Sequence, residues 1–399
     1  MRSYDPAALI AAQCLQDELR LRALKALPGG ITRTTVFMPP HPPYLAKGIG
    51  ARVIDVEGRE TIDANNNYTS LIHGHAHPAI VAAATEAIKE GASFGLPTIW
   101  EIELAERLKA RVGLDHWRFC NSGTEAVMMA MRCARAYTGR DVIIRFRGSY
   151  HGTSDGVVDD SFPGIPVSQK DCVIALPQGD LGAFEEVIRR NQSRVAGVLL
   201  DLMPNRAGLV PADPNFVARV RELTLQHSAL LIGDEVISFR VAYGGMFNRY
   251  KLKPNIVVVG KIIGGGFPVG AIGASADVLR AFHPLESRQV AWGGTFSANP
   301  VTMRSGCVAL DLFDEAAVTK LNSAGQKLRE ALTAAGVAVT GAGSLLRLPI
   351  HGSDWWSLYD QGLLVCGTGM MSLSTAMSLS DLDAIARIIT RTLTKRASQ

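Results

Sequence analysis

Val257-Val258-Val259-Gly260-Lys261-Ile262-Ile263-Gly264-Gly265-Gly266 sets an apolar run directly before a lone lysine and a run of glycines. The apolar run reads as a buried strand, and the glycines as a tight turn at its end. A lysine buried there is easier to deprotonate, because desolvation disfavours the ammonium form. A neutral amine attacks carbonyl carbon and forms a Schiff base. The competing reading is a lysine whose stem packs on apolar surface while its ammonium reaches water. The rest of the chain decides between the two.

Around this stretch, helices and short apolar strands alternate from about residue 100 to 275. Strands are expected at Trp117–Cys120, Val142–Phe146, Gly197–Leu200, Ala229–Ile232, Ile256–Val259 and Val269–Ile272. Helices are expected between them, at Thr124–Tyr137, Leu181–Arg190 and Pro214–Gln226. This alternation predicts an α/β fold with a mostly parallel sheet covered by helices. Ligands in such sheets bind beyond the carboxyl ends of the strands. After about residue 300 the texture changes. Two amphipathic helices near 300–313 and 315–335 precede short strands around 338–349 and 363–373. A last helix is expected to open at the Ser380-Asp381-Leu382-Asp383 cap. This predicts a smaller α+β C-terminal domain. At the other end, Ala7 to Leu27 reads as a helix stopped by Pro28-Gly29-Gly30. The proline-rich segment from Ile31 to Lys47 must be extended or turning. Residues 50–63 read as a hairpin turning at Glu57-Gly58.

Composition narrows the function classes. The 399 residues are 47% hydrophobic and 20% charged, with a net charge of +4. That is ordinary for a packed globule, and no dense basic block suggests nucleic acid or a membrane surface. Cys14, Cys120, Cys133, Cys172, Cys307 and Cys366 are scattered, with neither a CxxC pair nor zinc-type spacing. Reduced thiols in a cytoplasm are the expectation. No signal-type core opens the chain, and no apolar run reaches the roughly 18 residues that span a bilayer.

Several strings could carry chemistry. Asn121-Ser122-Gly123-Thr124-Glu125 follows a strand and opens a helix. Gly123 allows close backbone approach, and the free N–H groups of a helix start bind anions. A plain N-cap by Ser122 is the alternative. Asp234 follows an expected strand end, where a carboxylate could hold a proton on a heterocyclic nitrogen. Glu235 should point elsewhere by strand alternation. Gly148-Ser149-Tyr150-His151-Gly152 places an aromatic ring where it could stack on a flat cofactor. Gly293-Gly294-Thr295-Phe296-Ser297-Ala298-Asn299-Pro300 offers a hydroxyl and accessible amides. His73-Gly74-His75-Ala76-His77-Pro78 has a spacing that a strand could turn into a metal site. Pro78 and the run after it favour a loop entering a helix, so no metal is expected. Gly260-Lys261 is not a Walker A motif, because Ile262 replaces the Ser/Thr. A module that merely binds a phosphorylated ligand would use the same helix start, but has no need of a buried lysine opposite an aspartate.

Together these strings resemble the class III, pyridoxal-phosphate-dependent aminotransferases of fold type I. The resemblance runs from about Pro28 to the last helix. It is carried by Pro28-Gly29-Gly30, Gly74-His75-Ala76-His77-Pro78, Ser93-Phe94-Gly95, Asn121-Ser122-Gly123-Thr124-Glu125-Ala126, Tyr150-His151-Gly152, Asp234-Glu235-Val236, Gly260 to Gly266 and Gly294-Thr295-Phe296. It is nearest the branch of glutamate-1-semialdehyde aminomutase and the β-amino-acid aminotransferases. The resemblance implies pyridoxal 5′-phosphate as cofactor and Lys261 as its Schiff-base lysine. Asp234 would keep the pyridine nitrogen protonated. Tyr150 and Val236 would flank the ring. Ser122, Gly123 and Thr124 would bind the phosphate. Thr295 would reach the neighbouring subunit's cofactor in a homodimer with shared sites. The implied organisation is an N-terminal segment over 1–65 belonging to the small domain, a large cofactor-binding domain over 66–295, and a C-terminal small domain over 296–399.

The aminomutase carries a glutamate in a Gln-Phe-Glu-Ala-Gly string. The corresponding Val365-Cys366-Gly367-Thr368-Gly369-Met370-Met371 has no acid. Ile31-Thr32-Arg33-Thr34-Thr35-Val36 instead resembles the β-amino-acid enzymes, where Arg33 would grip a substrate carboxylate and Tyr68 would line the pocket. Those enzymes place a second arginine near Thr368, which this chain lacks. Asp201 stands where the family usually has a glutamate before proline. The expected activity is transamination from an amino acid, such as a β-amino acid, or an amine to an oxo acid in ping-pong order. An aminomutase or an epimerase shares every cofactor residue and is the alternative.

Overall fold

The computed structural model describes residues 14–158, 162–286 and 290–394. An N-terminal meander of β1 (Leu45–Ile49), β2 (Arg52–Asp55) and β3 (Glu60–Asp63) contains the expected hairpin. The large sheet comprises β4 (His116–Cys120), β5 (Val142–Phe146), β6 (Val173–Leu176), β7 (Val195–Asp201), β8 (Leu230–Asp234), β9 (Ile256–Gly260) and β10 (Gly270–Ala274). Its order is β4-β10-β9-β8-β7-β5-β6, and only β10 runs against its neighbours. Near the C-terminus come β11 (Thr340–Ala342), β12 (Leu345–Arg347), β13 (Leu363–Leu364) and β14 (Met370–Ser372). β11, β12 and β14 form a small antiparallel sheet, while β13 pairs parallel with β3. The N-terminal meander and a C-terminal strand therefore share one sheet.

Every residue of β5, β7, β8, β9 and β10 is buried. That is why these strands read as continuous apolar runs rather than alternating ones. The helix Gly123–Thr138 packs with Leu199, Ile232 and Val258, and the helix Pro214–Gln226 packs with Val198, Leu200 and Leu231. Neighbouring strand residues thus serve opposite faces, as the pleat requires. Asp213 starts the second helix by accepting from the N–H groups of Asn215 and Phe216 at 2.8 and 3.0 Å.

Some boundaries differ from expectation. β8 runs on to Asp234, so this residue ends the strand rather than following it. Backbone pairing continues past the last apolar side chain, through Gly233, and sets Asp234 opposite both Asp201 and Val258. β10 starts at Gly270, one residue later than expected. The first helix is Leu15–Ala26, and residues 7–13 of the expected helix lie outside the described residues. The last helix, Leu379–Thr394, is capped by Ser378 rather than Ser380. Ser378 Oγ accepts from the Asp381 N–H at 3.2 Å, and Asp381 Oδ2 accepts from the Ser378 N–H at 2.8 Å. The reciprocal acid sits three residues after Ser378, which decides the cap. His73 to Pro78 is a loop entering the helix Pro78–Glu90, as expected. His73 is fastened to Thr375 Oγ1 and the Ala309 carbonyl, at 2.8 and 2.9 Å, and His75 to Asp63. No helix among the described residues is long and apolar enough to cross a membrane.

Candidate active site

The carboxyl ends of β4, β5, β7, β8 and β9 bring the chemistry-bearing residues to one edge of the sheet. Lys261 directly follows β9 in a left-handed conformation, φ 52°. Its Nζ donates to the Tyr68 carbonyl at 2.7 Å. Burial pushes its amine down to about 8, against the opposing pull of the Cys366 and Asp234 side chains. The end of β8 places Asp234 in a dry position. His151 Nδ1 donates to its Oδ2 at 2.7 Å, and the Val236 N–H donates to its Oδ1 at 3.0 Å. Asp201, the register partner on β7, is buried too and accepts from the Met203 N–H at 2.8 Å. Burial, and then the charge of Asp234, push the Asp201 carboxyl up to about 7. Glu235 turns away, as alternation predicts, and accepts from the Phe247 N–H at 2.7 Å.

Opposite this pair, Ser122 caps the helix Gly123–Thr138 through the Glu125 N–H at 3.1 Å. The capping hydroxyl uses its oxygen as acceptor and keeps its proton to donate, so capping and anion binding are compatible. A helix start leaves its first N–H groups without intrahelical partners, here those of Gly123 and Thr124. A Cβ on Gly123 would lie 3.1 Å from both Val236 methyls, so this helix start and Val236 face each other closely. Gly152 sits at φ +102°, and a Cβ there would come within 2.5 Å of Thr124 Oγ1. Only glycine lets the Tyr150-His151-Gly152 loop lie against the helix start.

The third wall is a turn. Asn66, Asn67, Tyr68 and Thr69 all have positive φ, from 47° to 76°. Each non-glycine residue there costs roughly 1–2 kcal/mol, somewhat less for asparagine. The turn is therefore fastened from several sides. Asp63 Oδ1 accepts from the N–H groups of Asn65 and Asn66, both at 2.8 Å. Asn66 Nδ2 donates to the Ser372 carbonyl at 2.7 Å. Arg33 Nη1 donates to Asn67 Oδ1 at 3.0 Å and lies 5.8 Å from the Tyr68 ring centre. The Tyr68 hydroxyl donates to the Thr35 carbonyl. A cavity of about 190 Å³ opens here between Arg33, Val36, Met38, Tyr68, Trp355 and Val365.

The structure thus joins Lys261 to Tyr68 and Arg33, and sets Val236, beside Asp234, close to Gly123. Tyr150 is exposed, and the Arg206 guanidinium lies 4.8 Å from its ring centre. Thr295 stands on an exposed turn. The sequence reading gave no role to His151, Asn67 or Arg240. The string Tyr150-His151-Gly152 was the available signal for His151, but the 83 positions separating it from Asp234 hide the pairing. Arg240 is wholly buried, and its Nη1 donates to the Thr69 carbonyl at 3.3 Å.

Residues 38–390 match the family model Aminotransferase class-III. The chain belongs to the class III aminotransferases. This class III aminotransferase is 39% identical over 328 residues to a glutamate-1-semialdehyde 2,1-aminomutase from Methanothermobacter thermautotrophicus, covering 79% of this chain and 77% of that protein. An omega-transaminase from Sphaerobacter thermophilus superposes with a TM-score of 0.92 at 39% identity, over 96% of this chain and 98% of that one. A beta-phenylalanine aminotransferase from Variovorax paradoxus superposes with a TM-score of 0.89 at 30% identity, over 96% and 94%. The fold is the expected fold type I, and the cofactor of the enzyme is pyridoxal 5′-phosphate. The residues present fit that group: a near-neutral lysine amine for its aldehyde, a buried carboxylate for its ring nitrogen, and a helix start for its phosphate.

The depressed Lys261 amine gives a testable sign. Only the neutral amine attacks a carbonyl, and its fraction climbs as pH rises toward and past about 8. Cofactor uptake by the apoprotein should therefore accelerate with pH and level off above that point. Stopped-flow absorbance checks this, and a flat profile would contradict a buried nucleophilic amine.

Proposed function

We propose that this enzyme is a transaminase that takes the amino group of a carboxylate-bearing amine, of the β-amino-acid type, and passes it to an oxo acid in ping-pong order. The observation that carries the reading is Arg33. Its guanidinium takes no acidic partner among the described residues, yet it is held by Asn67 and the Tyr68 ring. The same Tyr68 holds Lys261 through its carbonyl. A carboxylate on Arg33 would thus lie on the turn that also meets the lysine, and planar bidentate pairing suits a guanidinium. The acid-free stretch Val365 to Met371 further supports transamination over amino-group migration.

When bound, pyridoxal phosphate supplies an aldehyde that takes up amines and a ring that withdraws electron density. The chain's own residues do the rest. Ser122, Gly123 and Thr124 hold the phosphate at the positive end of the helix. Asp234, oriented by His151, holds a proton on the ring nitrogen. Val236 and Tyr150 flank the ring. Lys261 Nζ carries the proton between substrate carbon and cofactor. Thr295 completes the site across a homodimer. Exposed Phe94, Leu96, Ile99, Ile102 and Phe296 support an apolar face covered by a second copy. We place the enzyme in the cytoplasm, in keeping with six cysteines that form no disulfide.

A second reading is favoured by the aminomutase names of relatives 38–39% identical to this chain. The test is donor titration of the holoenzyme with β-amino acids, α-amino acids, simple amines and glutamate semialdehyde. Release of a free oxo product from carboxylate-bearing donors is expected. Conversion of the semialdehyde alone, to its amino-shifted isomer, would replace the transaminase reading with the aminomutase one. Arg33→Ala should raise KM for carboxylate donors by about tenfold or more while affecting simple amines less. Equal losses on both would remove the carboxylate grip.

A further inference from the structure

Three successive residues of the left-handed turn each hold a different cation. Asn67 Oδ1 takes Arg33 Nη1 at 3.0 Å, the Tyr68 carbonyl takes Lys261 Nζ at 2.7 Å, and the Thr69 carbonyl takes Arg240 Nη1 at 3.3 Å. We propose that Asn67 is the specificity-determining residue of the carboxylate subsite, because its side-chain oxygen aims the Arg33 guanidinium without neutralising it. The proposal rests on the transaminase reading of Arg33 and deepens it.

The turn is rigid enough for the task. Strained backbone persists only where its surroundings over-determine it. Asp63 holds the start of the turn and is itself held by His75 Nε2 at 2.7 Å. Arg240 holds the end. It is wholly buried, and its partners are neutral: Ser344 Oγ at 3.0 Å and the carbonyls of Thr69 and Leu373. A guanidinium in that position ties the turn to the C-terminal sheet. Asn67 is therefore not free to drift with its side chain.

The chemistry of the partner matters as much. Arg52 and Arg107, which serve structure, donate to carboxylates at 2.6–2.8 Å. Arg33 instead donates to an amide oxygen. A neutral acceptor fixes the planar fork while leaving its charge for an anionic ligand. Asparagine tolerates a left-handed backbone, which by itself would account for the residue type. It does not account for a side-chain oxygen directed at an arginine 34 positions away.

The test compares kcat/KM for β-amino acids and for simple amines in three holoenzyme variants. Asn67→Asp places a carboxylate on Arg33 that competes with the substrate, and should lower the ratio of the two values about tenfold through KM. Asn67→Gly keeps the left-handed backbone but removes the acceptor, and should lower the ratio about threefold. A structural role alone would depress both donor classes together. If Asn67→Asp fails to fold, Asn67→Gly decides. An unchanged ratio in both Asn67 variants overturns the proposal. If Arg33→Ala still collapses the ratio in that case, the transaminase reading stands without it. An unchanged ratio in Arg33→Ala overturns both.

Discussion

Lys261→Ala is expected to abolish turnover and to leave no covalent cofactor on the protein after borohydride reduction, read as intact mass. The amine follows a wholly buried strand and is held on the Tyr68 carbonyl at 2.7 Å. Burial lowers it from the ordinary lysine value to about 8, so far more of it is neutral, and able to act as nucleophile or base, than of an exposed lysine. Alanine removes the amine nitrogen that would do either at that place. Fold should survive, because the substitution removes the desolvation cost of a buried amine together with only the methylenes of its stem. Its costs are the lost bond to the Tyr68 carbonyl and an alanine at φ 52°, where lysine is already strained. Near-normal activity in this variant would end the case for a Schiff-base lysine. A fall in thermal stability large enough to unfold the protein would instead mean that the Tyr68 bond is a main fastening of the turn.

Asp234→Asn is the second large effect. Turnover should fall by about 10²–10⁴, the range that positioned proton transfer supplies. Cofactor binding should largely persist, because the proposed phosphate residues Ser122, Gly123 and Thr124 lie on another element, at a helix start. Asparagine still accepts from His151 Nδ1, so the imidazole keeps its orientation. What disappears is a buried negative charge able to hold a proton on a ring nitrogen. The variant also tests the acid pair. Asp201 is held up partly by the charge of Asp234. Removing that charge lowers the Asp201 carboxyl toward the ordinary range, which a pH-resolved carboxylate signal would reveal by infrared difference spectroscopy. Unchanged turnover would remove the electronic role of Asp234, and an unchanged Asp201 would remove the coupling between them.

Much of the scaffold was legible beforehand, for identifiable reasons. Leu181–Arg190 and Pro214–Gln226 were read with their observed bounds, because side-chain caps and helical spacing are local signals. The central strands were legible because burial on both faces leaves them largely apolar, with Arg145 the exception inside β5. Strand ends were not. Asp201 and Asp234 belong to their strands by backbone pairing, and a reading that stops at the last apolar residue misses them. Ser378 was missed as a cap for a similar reason, since Ser380 looks equivalent until the partner of Asp381 is known.

Local patterns in the chain carry the α/β plan and put Lys261 and Asp234 just past apolar strands, and the family resemblance implies the cofactor. The plan rests on local caps and periodicity, and the resemblance rests on the number and order of short strings along the whole chain. Folding in three dimensions is what sets His151 behind Asp234, crowds Asp234 with Asp201, and lets Asn67, Tyr68 and Thr69 hold Arg33, Lys261 and Arg240. The hydrogen bonds among these contacts join residues 34 to 193 positions apart. A hydrogen bond depends on distance and direction in space, and neither is written in the spacing of the residues that form it.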